Sequence, residues 1–236
     1  MHLRERASPN HGPRPGDGTV DMLILHYTGM RSAAEALERL CSAEAKVSAH
    51  YLIDEDGTVW RLVPEERRAW HAGIACWAGR RDINAASIGI ELVNPGHEFG
   101  YRPFPEPQMA ALEELGRAIL ARHPIPPSLV LGHSDVAPQR KTDPGELFDW
   151  PRLARAGIGL WPDCTAPVGA PADTAEMQAL LAAIGYETPR TGSLDEATKQ
   201  VIAAFQRHFR PSRCDGAPDA ETVQRIAVLA AAVPTS

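Results

Sequence analysis

The chain is 236 residues long, 44% hydrophobic and 23% charged, which is enough for one sizeable core and a smaller second unit. No apolar run approaches the roughly 18 residues a membrane helix needs, and a formal net charge of -6 with scattered Lys and Arg lacks the basic stripe of a nucleic-acid binder. Cys41, Cys76, Cys164 and Cys214 form no CxxC pair, so neither a thiolate zinc knuckle nor a dense disulfide framework is indicated, although an even count leaves disulfides open in an oxidising compartment.

Residues 1–18, MHLRERASPNHGPRPGDG, are polar and rich in Pro and Gly and read as an N-terminal arm. They hold no apolar core of a secretory signal, so the chain as written is expected in the cytoplasm, and in the periplasm if a signal peptide precedes the given start. VDMLILHYTG then reads as a buried strand ending in Gly29, with His26 near its end. Ser32 precedes AAEALERLCSAEA, a helix capped by that serine with Ala33, Leu37 and Leu40 on its apolar positions.

In AHYLIDEDGTVWRLV, two β-prone runs flank Asp54-Glu55-Asp56-Gly57, a hairpin signal because Gly tolerates the positive φ of a tight turn. SIGIELVN predicts another strand, PEPQMAALEELGRAILARHP a long amphipathic helix, and SLVLGHSD a short buried strand running into a loop. Strands mixed with helices make residues 19–160 an α/β layered domain. WPDCTAPVGAPAD, residues 161–173, is linker chemistry. Residues 174–236 form a small three-helix domain, with Met177, Leu180, Leu181 and Ile184 on one face and Val201, Ile202, Phe205 and Phe209 on another.

A catalytic zinc needs about three protein ligands and an open position for water. His26 at a strand end, with His133 and Asp143 flanking the loop GHSDVAPQRKTDPG, supply a credible set. Taken singly, each histidine is more often a surface or core residue. Five segments change that balance: LHYT, SAHYLID around His50, WHAG around His71, SIGIELVN, and GHSDVAPQRKTDPGELFDW. Together, in this order and over about residues 20–160, they resemble the motif set of N-acetylmuramoyl-L-alanine amidases of the AmpD and AmiD type.

That resemblance implies a central mixed β-sheet flanked by helices, the fold shared with peptidoglycan recognition proteins, with one zinc in a surface groove. It matches His26, His133 and Asp143 to the zinc ligands, and Glu91 and Lys141 to the polar residues that assist catalysis. The expected reaction is hydrolysis of the amide between the lactyl group of N-acetylmuramic, or 1,6-anhydro-N-acetylmuramic, acid and L-alanine. Glu91 is the candidate general base, the alternative being a solvated charge on an edge strand. Lys141 is the candidate cation beside the developing oxyanion, the alternative being an exposed lysine that steers acidic substrate.

His50 as an orienting residue, His71, Trp70 and Asn94 are candidate substrate-side residues, with scaffold or packing roles as the alternative; Trp77 is considered with them. The C-terminal unit resembles three-helix peptidoglycan-binding domains through Ile184-Gly185-Tyr186 and Ala204-Phe205-Gln206. The expected partner is therefore peptidoglycan, as polymer or fragments, with a purely structural helical cap as the other reading of this unit. A non-catalytic muropeptide-binding protein on the same fold is the rival function, and it would usually replace a ligand. A zinc peptidase is disfavoured because no HExxH helix is present.

Overall fold

The computed structural model describes residues 2–164, 171 and 173–233. Its strands are β1 (His2–Glu5), β2 (His11–Pro13), β3 (Met22–Tyr27), β4 (Tyr51–Ile53), β5 (Thr58–Arg61), β6 (Arg67–Ala69), β7 (Ser87–Leu92) and β8 (Val130–Gly132). Its helices are α1 (Ala33–Cys41), α2 (Ile83–Ala86), α3 (Gly96–Phe99), α4 (Glu106–Arg122), α5 (His133–Val136), α6 (Trp150–Arg155), α7 (Thr174–Ile184), α8 (Glu196–Phe209) and α9 (Ala220–Ala232).

The continuous apolar run of β3 follows from its position, because β7 and β8 pair with it in parallel on either side and both faces are covered. The main sheet has the order β1-β5-β4-β7-β3-β8 and is mixed, since β4 and β5 form the expected antiparallel hairpin. Gly57 turns that hairpin at φ 86°, and its N–H donates to the Asp54 carbonyl at 3.0 Å.

Side chains alternate across the parallel strands. Leu23, Leu25, Ile88, Ile90 and Leu92 form one core with Met109, Leu112, Leu115 and Ile119 of α4. From the opposite face Met22, Ile24 and Leu131 join Leu181, Phe205, Phe209 and Ile226 of the C-terminal helices in a second core. The sheet therefore lies between α4 and the C-terminal unit, and the two units share a buried interface.

Two expectations change. The expected N-terminal arm contains two strands that join the fold, because β1 pairs in parallel with β5 and β2 pairs antiparallel with β6. Between those strands and the core, Arg14 donates to the carbonyls of Glu65, Asn84, Ala85 and Ser87. The loop expected after β8 begins with the helical turn α5. Most of the linker expected over 161–173 lies outside the described residues.

The C-terminal helices each start on an aspartate N-cap: Asp173 accepts from Glu176 N–H, Asp195 from Thr198 N–H and Asp219 from Thr222 N–H. Gln178 and Gln206 play matching parts in this unit. Gln178 is buried and binds Gly192 N–H and Thr198 Oγ1, while Gln206 binds Gly216 N–H and Thr222 Oγ1. The four cysteines are unpaired.

Candidate active site

The site sits where β3 and β7 end on the face away from α4. His26 is the last buried residue of β3 and is in register with Glu91 of β7, so both side chains leave the same face of adjacent strands. His133 opens α5 directly after β8, and Asp143 follows ten residues later. Ser134 N–H donates to the Asp143 carbonyl at 2.9 Å, which ties the segments that carry His133 and Asp143 together. Tyr27 Oη meets Thr142 Oγ1 at 2.9 Å and fixes the same loop to the end of β3.

Three atoms converge. His26 Nδ1 and His133 Nδ1 are 2.9 Å apart, and Asp143 Oδ2 is 3.1 Å from each. The surrounding hydrogen bonds decide which nitrogens carry protons. His133 Nε2 donates to the Ala72 carbonyl at 3.0 Å, which leaves His133 Nδ1 as a lone pair in the neutral ring.

For His26 the assignment passes through a relay. Ser87 Oγ donates to the Ile83 carbonyl at 2.7 Å, so it accepts from His71 Nε2 at 3.2 Å. His71 Nδ1 is then the acceptor for His26 Nε2–H at 3.0 Å, and His26 Nδ1 is bare as well. Burial, with His133 adding to it, lowers the His26 pKa to about 4, so the ring is neutral near pH 7. Burial alone would raise the pKa of Asp143; the imidazoles of His133 and His26 outweigh it and hold the carboxyl well below the usual carboxylate range.

When both rings are neutral, two imidazole nitrogens and a carboxylate oxygen turn lone pairs toward one point, and without a cation only a proton shared with Asp143 relieves that crowding. Such a set calls for a cation. An N,N,O donor set of this kind, buried and within 4.8 Å, fits zinc.

Glu91 stands beside this group. Its Oε2 is enclosed and has no hydrogen-bond partner. Burial raises its pKa well above the ordinary carboxylate value, Asp143 adds to the shift and Lys141 opposes it. Glu91, Lys141, His71 and Trp70 line the same open groove as His133 and Asp143, so these expected site residues are brought together.

Others are not. Asn94 is 1% exposed, and its amide is committed to the Arg102 carbonyl and Gly96 N–H, so it braces a loop instead of facing the groove. His50 is fully buried behind His71; it accepts from Gly89 N–H at 3.0 Å and its Nε2 meets the Arg67 carbonyl at 3.0 Å. Trp77 packs in the second core against Tyr186.

Sequence reasoning missed three supports. Asn84 Oδ1 accepts from the N–H groups of His71 and Ala72 and sets the WHAG loop. Ser87 ends the relay through His71 to His26. Gly89 leaves room for His71, because a Cβ there would stand 2.5 Å from the His71 ring. An isolated glycine in an otherwise apolar strand was the available signal for that close approach.

Residues 16–146 match the family model described as N-acetylmuramoyl-L-alanine amidase, and residues 171–226 match a putative peptidoglycan binding domain. The N-acetylmuramoyl-L-alanine amidase AmiD of Escherichia coli is 41% identical over 224 residues, covering 86% of this chain and 79% of that protein. The 1,6-anhydro-N-acetylmuramyl-L-alanine amidase AmpD of the same organism is 36% identical over 167 residues, covering 64% of this chain and 89% of its own length.

Among solved structures, E. coli AmiD in complex with anhydro-N-acetylmuramic acid-L-Ala-D-gamma-Glu-L-Lys superposes with a TM-score of 0.82 at 37% identity, covering 98% of this chain and 94% of that one. AmpDH3 of Pseudomonas aeruginosa with an anhydromuramic pentapeptide gives a TM-score of 0.82 at 34% identity, covering 97% and 96%.

Proposed function

The chain belongs to the N-acetylmuramoyl-L-alanine amidase family, and from that premise we infer that it hydrolyses the amide between the lactyl group of a muramyl sugar and L-alanine in peptidoglycan or its fragments. One observation carries the catalytic reading over a binding-only one: His26, His133 and Asp143 present three donor atoms to one point, beside an enclosed Glu91. A binding protein has no use for that arrangement.

His26, His133 and Asp143 would hold one zinc. When bound, it supplies a Lewis acid that polarises the scissile carbonyl and makes water acidic enough to lose a proton near neutral pH.

Glu91 takes that proton as water oxygen adds to the lactyl carbonyl carbon, then delivers it to the alanine nitrogen as the C–N bond breaks. The raised pKa of Glu91 suits both halves of this transfer. Lys141 places its ammonium on the groove wall, where it meets the negative charge that develops on the carbonyl oxygen. Trp70 offers an aromatic face in the same groove for the sugar or stem peptide.

Both relatives with bound ligand carry anhydromuramyl peptides, which supports soluble anhydro-muropeptides as substrates of this chain. The match of residues 171–226 to a peptidoglycan-binding family supports polymeric wall as a second substrate form. Peptide release from purified anhydro-muropeptide and from intact sacculi, measured side by side, tests the reading; release from neither sinks it.

A further inference from the structure

We propose that the C-terminal helices hold the catalytic site in shape, with Tyr186 and His208 acting as positioning residues that lock Asp135 and, through it, the turn that carries His133. The inference rests on the metal reading of His26, His133 and Asp143.

Asp135 lies two residues after His133 in α5 and is completely buried. Tyr186 Oη, just beyond α7, donates to its Oδ1 at 2.6 Å. Its Oδ2 accepts from Gly132 N–H at 2.7 Å and from His208 Nδ1 of α8 at 2.7 Å. His208 Nε2 is buried without a partner, so the neutral ring carries its proton on Nδ1, toward Asp135. The ring is clamped by stacking on Trp150 at 3.7 Å and Phe209 at 3.8 Å. Both carboxylate oxygens of Asp135 are thus tied, two of the three donors coming from the C-terminal unit.

The consequence reaches the metal ligands through short links. Gly132 N–H bound to Asp135 fixes where α5 begins, and His133 is its first residue. Ser134 N–H, in the same turn, donates to the Asp143 carbonyl. One carboxylate therefore sets the backbone of two of the three donors.

Apolar docking does not require it, because Met22, Ile24, Leu131 and Val136 already pack against Leu181, Phe205 and Phe209. A buried carboxylate stripped of a donor is costly, so it turns or draws in water and loosens the turn it anchors.

The test uses the full chain and zinc alone. Zinc Kd is measured by competition with a chromogenic chelator, and the thermal midpoint of the metal-free protein is recorded beside it. Tyr186→Phe and His208→Phe, the second keeping the aromatic stack but losing the donor, are expected to weaken zinc binding by about tenfold or more. His208→Asn, which returns an N–H near the position of Nδ1, is expected to restore most of it. Ile226→Val in α9, which trims the shared core and leaves every hydrogen bond of Asp135 in place, is expected to lower the midpoint without changing the zinc Kd.

If Tyr186→Phe and His208→Phe bind zinc as the wild type does, whatever their midpoints, the C-terminal helices only pack and the proposal is overturned. A wild-type chain that takes up no zinc would overturn the metal reading, and this inference with it.

Discussion

His26 and Glu91 stand side by side across the parallel pair of β3 and β7, one offering a bare Nδ1 and the other an enclosed, unpartnered Oε2. Neither side chain belongs on a sheet face for packing reasons. The next residues along the same face of β3, Met22 and Ile24, are core, so the polar pair marks where the strand stops being scaffold.

The enclosed Glu91 predicts a pH-dependent instability in the metal-free protein. A carboxyl whose folded pKa is raised binds its proton more tightly in the fold than in the unfolded chain, so stability falls as pH rises from about 4.5 through the folded pKa. Glu91→Gln removes the buried charge. It should raise the stability of the metal-free protein at pH 7 by about 1–3 kcal/mol and change it little at pH 4, while abolishing hydrolysis. Thermal melts at the two pH values check this; an equal gain at both would contradict it.

The buried histidines set the opposite slope on the acid side. His26 is lowered to about 4 and His50 to about 3, chiefly by burial, and His71 also lies well below 6.5. These rings are neutral in the fold and charged when unfolded below pH 6.5. Their contribution is complete above that value and is lost as pH falls toward 4, on the order of a few kcal/mol in all. Equilibrium unfolding of the metal-free Glu91→Gln protein, which lacks the opposing Glu91 contribution, between pH 7 and pH 4 measures it, and a flat profile would exclude it.

Gly89 and His71 make a steric prediction. Gly89→Ala puts a methyl group into the His71 ring, which must move and take the His26 Nε2–H acceptor with it. Zinc affinity should fall about 10–100-fold, with a loss of about 1–3 kcal/mol in stability. His71→Phe, which keeps the ring and loses the acceptor, should reproduce the affinity loss. Zinc competition and thermal melts separate the two effects.

Arg14 predicts that the N-terminal segment is part of the fold. Arg14→Ala leaves four carbonyls, those of Glu65, Asn84, Ala85 and Ser87, without this donor, and should cost about 2–4 kcal/mol. Urea unfolding reads the loss directly; a change below about 0.5 kcal/mol would mean that the segment is dispensable.

The legible parts of the sequence were those set by local pattern. The apolar run of β3, the Asp-Gly turn of the hairpin, the Ser32 cap of α1 and the prolines opening α4 all act within a few residues, and each element formed as expected. The convergence of His26, His133 and Asp143 was readable because the LHYT, GHSD and KTDPG motifs resemble a family. What pattern could not carry was pairing at long range. Residues 2–13 look like an arm because their strands are short and polar, and only the exposed edges of β5 and β6 make them strands.

Asn94 was a candidate substrate-side residue, yet past the end of β7 the chain has turned and its amide closes a loop. Nothing in GHSDVAPQRKTDPG singles out Asp135 by pattern. Its partners, Tyr186 and His208, lie 51 and 73 residues away.

Zinc content, measured together with release of L-alanine-initiated peptide from anhydro-muropeptide for wild type, His133→Ala and Glu91→Ala, decides whether this chain is a zinc amidase. About one zinc per wild-type chain and peptide release are expected. His133→Ala should lose both zinc and activity, and Glu91→Ala should lose activity with zinc retained. A wild-type chain that binds the muropeptide and releases nothing, with zinc supplied, would contradict the amidase reading and leave a binding protein on an amidase fold.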